Sequence, residues 1–184
     1  MSQSFLIFAL PRSRTAWLAT MLTSIGYDGD YCSSFCQHEW FDFDNPLPNR
    51  THFNGASSTG AALHWEKVLK NNPDARIVTI RRKPLDAVLA SYERATGLKA
   101  EDMFQTMARA NVCLNAIEAD TGCLSVNFND IDDRAEEIHR WCLPGVEIDQ
   151  LRLDQLKRMN IQLKPSIQLA EIAKLTKGQG RLAI

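Results

Sequence analysis

The sequence predicts an α/β fold, a central and mostly parallel sheet with helices on both faces, formed as one domain over residues 1–184. Three observations predict it. Phe5-Leu6-Ile7-Phe8-Ala9-Leu10 is an unbroken apolar run, the signature of a parallel strand covered on both sides. Arg76-Ile77-Val78-Thr79-Ile80 and Leu124-Ser125-Val126-Asn127-Phe128 read as two further strands. Between the strands, apolar residues recur at helical spacing, and strands alternating with helices favour a parallel sheet with crossover connections. A domain of this length buries roughly 70% of the surface of its unfolded chain, enough for one core.

Taken in chain order, Leu18, Met21, Leu22 and Ile25 form a stripe at i, i+3, i+4, i+7, and Gly26 ends that helix. Tyr27 to about Ser33 reads as a weaker strand. Residues 42–60 are rich in Asp, Asn, Pro, Gly and Ser and read as a long loop, a feature usually tied to function in a small domain. Ala61–Leu69 is helical and stops at Asn71-Asn72-Pro73. Pro84 stands where the next helix begins, with Leu85, Val88, Leu89 and Tyr92 on its apolar face and Gly97 at its end. Met103, Met107, Ala110, Leu114 and Ile117 mark another helix; Asp132–Trp141 is helical, and a last helix starts at Pro165.

Composition narrows the class of function. The chain is 45% hydrophobic and 23% charged with a formal net charge of −1, so nothing marks a nucleic-acid or membrane surface. The apolar start has no positive segment before it and is cut off at Pro11-Arg12-Ser13-Arg14, too short for a signal peptide or a span. A cytoplasmic protein is expected. Five cysteines, irregularly spaced, do not form a disulfide framework. Cys32 and Cys36 lack a second pair for zinc, so no metal is expected.

Charge is concentrated locally. Two of the three strands run into arginines: Leu10 into Arg12 and Arg14, Ile80 into Arg81 and Arg82. Ligands of open parallel sheets sit beyond the carboxyl ends of strands. Backbone N–H groups at the start of the Thr15–Ile25 helix favour an anion there, and arginine adds a forked, permanent donor suited to phosphate or sulfate. The strand–loop–helix unit from Phe5 to Ile25 is therefore of the P-loop type, built to hold a phosphate. Arg12 and Arg82 follow buried strands and precede helices, which favours function; Arg81 and Lys83 suit a solvated loop equally well.

Leu10-Pro11-Arg12-Ser13-Arg14-Thr15-Ala16-Trp17 resembles the 5′-phosphosulfate loop of sulfotransferases that use 3′-phosphoadenosine 5′-phosphosulfate (PAPS), usually P-[K/R]-S-G-T-T-W. Arg82-Lys83-Pro84-Leu85-Asp86, followed by Ser91-Tyr92, resembles their 3′-phosphate segment, and Asn127-Phe128-Asn129-Asp130-Ile131 is similar to the strand and helix that follow. Order and separation match from about residue 4 to residue 150. Small phage and bacterial proteins of this type carry ALPRSRT and, soon after, C-x-H-E, which Cys36-Gln37-His38-Glu39 matches. The sequence departs at Arg14, where the loop has glycine, at Ala16, where it has a second threonine, and at Lys83, where it has aspartate. Ser91 lies nine residues after Arg82 where the family has eight. Lys177-Gly178-Gln179-Gly180 is similar to a late clamp of the family, though four residues near a chain end also suit a flexible tail.

The resemblance implies transfer of a sulfuryl group from PAPS to a hydroxyl or amine of a small-molecule or glycan acceptor. Pro11, Arg12, Ser13, Arg14, Thr15, Ala16 and Trp17 would surround the 5′ end of PAPS, with Arg82 and Ser91 at the 3′-phosphate. Arg12 would balance charge on the leaving oxygen. His38 is the first candidate base, because an imidazole titrates near neutrality, with Glu39 beside it as orienting or alternative base. His52, in Arg50-Thr51-His52, is second; His64 reads as structural, and Trp17, Trp40 and Trp141 suit adenine stacking or ordinary packing. Two other classes remain open: a non-catalytic nucleotide- or anion-binding protein, and a kinase or NTPase, which the missing G-x-x-x-x-G-K-[S/T] disfavours.

Overall fold

The structure is a computed structural model that describes residues 3–24 and 33–159. Five strands form one all-parallel sheet: β1 (Gln3–Ala9), β2 (Ser34–His38), β3 (Phe53–Ser58), β4 (Arg76–Arg81) and β5 (Leu124–Asn127), in the order β2-β3-β1-β4-β5. Among the described residues six α-helices accompany it: α1 (Thr15–Met21), α2 (Trp65–Asn71), α3 (Leu85–Thr96), α4 (Ala100–Asp120), α5 (Ala135–Cys142) and α6 (Gln150–Arg158). The expected three-layer α/β architecture is present.

Strand alternation divides the core in two. Phe5, Ile7 and Ala9 face α1, α5 and α6, with Trp17, Leu18, Ile138 and Leu153 packed over them. Leu6, Phe8 and Leu10 face α2, α3 and α4, with Val68, Val88, Met107 and Leu114. Every residue from Phe5 to Leu10 is buried, as a run without polar interruption requires. The chain leaves β1 for β2 on one side of the sheet and crosses from β3 to β4 on the other. The carboxyl end of β1 is thus the point where the winding changes direction, the usual place for a ligand crevice in such sheets.

Three expectations change. Residues 42–60 are not one loop, because β3 lies within them and pairs with both β1 and β2. The second strand begins at Ser34; the expectation for residues 27–32, like the last helix from Pro165, lies outside the described residues. Helix α1 ends at Met21. There Thr20 and Thr23 hydroxyls donate back to the carbonyls of Ala16 and Ala19 at 2.8 Å, and the Arg152 guanidinium donates to the carbonyls of Thr20 and Thr23. Hydroxyls that bond back along the helix compete with its continuation. Helix α6 was not anticipated, although Asp149 is an N-cap, accepting from the Arg152 N–H at 3.0 Å.

Helices α5 and α6 also carry a titrating group. His139 is 6% exposed, and burial, reinforced by the Arg152 charge, pulls its pKa from 6.5 to about 4. The unfolded chain therefore binds more protons between those values, so stability is full above pH 6.5 and is lost as pH falls toward 4. Up to about 3 kcal/mol is expected from this histidine. Urea titrations across that range should show a shallower acid loss in His139→Gln than in the parent; parallel profiles would assign the loss to other groups.

Among the described residues no helix is long and apolar enough to cross a membrane.

Candidate functional site

The Pro11–Arg14 turn joins β1 to α1 at the carboxyl edge of the sheet. Arg12 (φ 64°) and Arg14 (φ 61°) both have left-handed backbone, which costs a non-glycine residue about 1–2 kcal/mol, while Ser13 between them does not. Such alternation turns successive N–H groups toward one side and makes an anion-binding concavity. Among the described residues the N–H groups of Arg12 and Arg14 donate to no carbonyl. The Ser13 hydroxyl is fully buried and also lacks a partner.

Arg82, just past β4, reaches this turn and donates through Nη1 to the Arg12 carbonyl, with its guanidinium 4.2 Å over the Phe128 ring. Neither Arg12 nor Arg82 has a carboxylate partner among the described residues. Burial, then the charges of Arg12 and Arg94, lower the pKa of Arg82. Two cations beside a concavity of N–H donors make a site with a deficit of negative charge.

Other members of the loop motif serve the fold. The Arg14 side chain pairs with Asp132 at 2.8 Å and lies 4.4 Å over Trp17, so only its backbone faces the concavity. Trp17 is wholly buried and its Nε1 donates to the Leu156 carbonyl at 3.0 Å. Its ring is a core group and is not free to stack on a base. Pro11 and Ala16 are half-buried at the turn and first helical residues. Trp40 is buried edge-on to Phe43, and Trp141 donates to the Ile77 carbonyl near the amino end of β4.

The structure brings the first candidate base to the loop. His38, the last residue of β2, has Nε2 3.2 Å from the Thr15 hydroxyl and 3.4 Å from Oε1 of Glu39. Thr15 Oγ1 is itself 3.4 Å from that Oε1. Burial lowers the pKa of His38 and the Glu39 carboxylate opposes the shift, so the ring is neutral at neutral pH. Glu39 takes left-handed backbone (φ 54°) and is fixed by Thr59, whose N–H and hydroxyl donate to Oε2 at 3.2 and 3.1 Å. Thr59 was missed, because a threonine in a Ser-Ser-Thr-Gly stretch carries no signal of its own.

Other candidates lie apart. His52 precedes β3, at the amino edge of the sheet, packed edge-on to Phe53. The strand between it and the loop edge is six residues long, or roughly 20 Å. His64 stacks on Phe43 at 4.8 Å. Arg81 is buried and turned to α4, donating to Asn115 and lying 3.6 Å from Glu118, so its role is structural. Lys83 is exposed, and the hydroxyl of Ser91, half-buried on α3, makes no hydrogen bond among the described residues. No group of residues that could hold a metal ion occurs among those described.

Compared with known proteins, the chain matches no family model and no curated sequence.

Proposed function

We propose that this protein transfers a sulfuryl group from PAPS to a hydroxyl or amine acceptor, with the Pro11–Thr15 segment as the site of the 5′-phosphosulfate. One observation carries this reading: an N–H concavity flanked by two cations without carboxylate partners, with a neutral imidazole within hydrogen-bond reach of its threonine. Arg12 and the loop N–H groups balance charge on the leaving phosphate oxygen, and Arg82 takes the second anionic group. His38 accepts the proton of the acceptor as its oxygen or nitrogen bonds to sulfur and the bond from sulfur to the phosphate oxygen breaks. The donor supplies the activated group, so positioning and charge are most of what the protein must contribute.

Arg12→Ala is expected to weaken binding of adenosine 3′,5′-bisphosphate at least tenfold in calorimetry, since a charge-assisted hydrogen bond contributes roughly 1.5–3 kcal/mol. The thermal transition should stay in place. Unchanged affinity would remove the loop from the site, and tighter binding of ATP than of the bisphosphate by the parent would favour an NTPase. A non-catalytic anion-binding protein is the second reading; Ala16, where the related loop offers a hydroxyl, favours it, and a parent that binds PAPS without releasing sulfated product would establish it.

A further inference from the structure

The two nitrogens of His38 have different surroundings. Nε2 faces both Thr15 Oγ1 and the Glu39 carboxylate, whereas Nδ1 has no hydrogen-bond partner among the described residues and is not shut away from solvent. An unprotonated Nε2 would set its lone pair against the carboxylate oxygen 3.4 Å away. With the proton on Nε2, the contacts close without conflict: Nε2–H donates to Thr15, and the Thr15 hydroxyl donates to Oε1 of Glu39. The other oxygen of Glu39 is held by two donors from Thr59, and the Glu39 N–H donates to the Ser57 carbonyl at 3.0 Å. The carboxylate is therefore clamped by Thr59, the residue that follows β3, independently of the histidine it faces.

We infer that Thr59 is a positioning residue which, through Glu39, keeps the proton of His38 on Nε2 and so leaves Nδ1 as the atom that takes the acceptor's proton. This inference rests on the proposed transferase reading for its last step, and on geometry alone for the rest. It also assigns Glu39 to orientation and not to proton transfer: one oxygen is occupied by Thr59 and the other by Thr15 and His38. The tautomer of a histidine is set by the bond its other nitrogen makes. No charged group other than Glu39 acts on this ring among the described residues; α1 presents the neutral Thr15, and the register neighbour on β3 is the neutral Ser57.

The test is nitrogen-15 NMR of the imidazole in the free full chain, which needs neither donor nor acceptor. The parent should show the Nε2–H tautomer at neutral pH. Thr59→Val keeps shape but removes one donor, and should give a mixed tautomer with a lower His38 pKa as the carboxylate drifts from the ring; Thr59→Ser should restore both. Glu39→Gln, measured in parallel, should resemble Thr59→Val. An Nδ1–H signature in the parent, or a Thr59→Val spectrum identical to the parent's while Glu39→Gln shifts, would overturn the inference. Loss of bisphosphate binding in Arg12→Ala and turnover of PAPS test the transferase reading separately, so either can fail alone: an Nε2–H signature controlled by Thr59 in a protein that transfers nothing would leave the clamp standing and remove only its catalytic use.

Discussion

On the transferase reading proposed above, His38→Ala should lower turnover of PAPS roughly 10²–10⁴-fold, the usual range for loss of a general base, while affinity for adenosine 3′,5′-bisphosphate stays within a few-fold of the parent. The imidazole stands at the end of β2, beside the loop threonine and not on the arginines, so on that reading its removal would touch the acceptor's proton and leave the charged grip on the donor. The pH profile supplies a second readout. Burial disfavours the imidazolium more than Glu39 restores it, so the base stays unprotonated down to pH values below 6.5. The acid limb of kcat/KM should accordingly fall below pH 6.5 and disappear in His38→Ala. A variant that keeps full turnover, while Glu39→Gln loses it, would move the base to the carboxylate.

Gly55→Ala is expected to destabilise the protein by about 3 kcal/mol or more, a fall in Tm on the order of 6–12 °C for a chain of this size. A Cβ at Gly55 would come within 2.1 Å of the Phe5 ring, which is itself fully buried and has nowhere to go. The two residues are register partners on β1 and β3, and the absence of a side chain on one makes room for the aromatic ring of the other. Trimming that ring should relieve the clash. Phe5→Leu alone costs stability, but the double variant should be more stable than the sum of the two single changes, a coupling expected only of residues in contact. An unchanged Tm in Gly55→Ala would mean that β3 does not pack beneath Phe5.

Strand β3 also shows where the sequence stopped being legible. Phe53-Asn54-Gly55-Ala56-Ser57-Ser58 has the composition of a loop, yet all six residues are buried. Polar and small residues are tolerated there because β1 and β2 pair with the backbone on either side, Asn54 binds the preceding turn through Arg50 and Thr51, and Ser58 reaches the Trp40 carbonyl. Short-range pattern sees none of these partners, since strand preference reflects a half-buried surface that only neighbours create. The same holds for Ser34–His38, where a motif of interest for its histidine conceals the edge strand that carries it.

By itself the sequence determined what depends on local periodicity: the buried β1, the strands at Arg76 and Leu124, the helices α3 and α4 with their apolar stripes, and the basic turn after β1, since an apolar run and a helical stripe each have one stable way to be buried. It also singled out Arg12, Arg82, His38 and Glu39 by residue type. Only the tertiary structure decided which of the basic and aromatic residues belong together. Arg81 and Arg82 are adjacent, but Arg81, the last residue of β4, turns to α4 and Arg82, the first beyond it, reaches the loop. Arg14 and Trp17 sit inside the loop motif, but the packing of α6 and Asp132 claims their side chains. His38 ranked ahead of His52 as candidate base by sequence, but only β2 and β3 set the two at opposite edges of the sheet, because in a parallel sheet ligands gather where strands end and the residues that begin them are left on the other side.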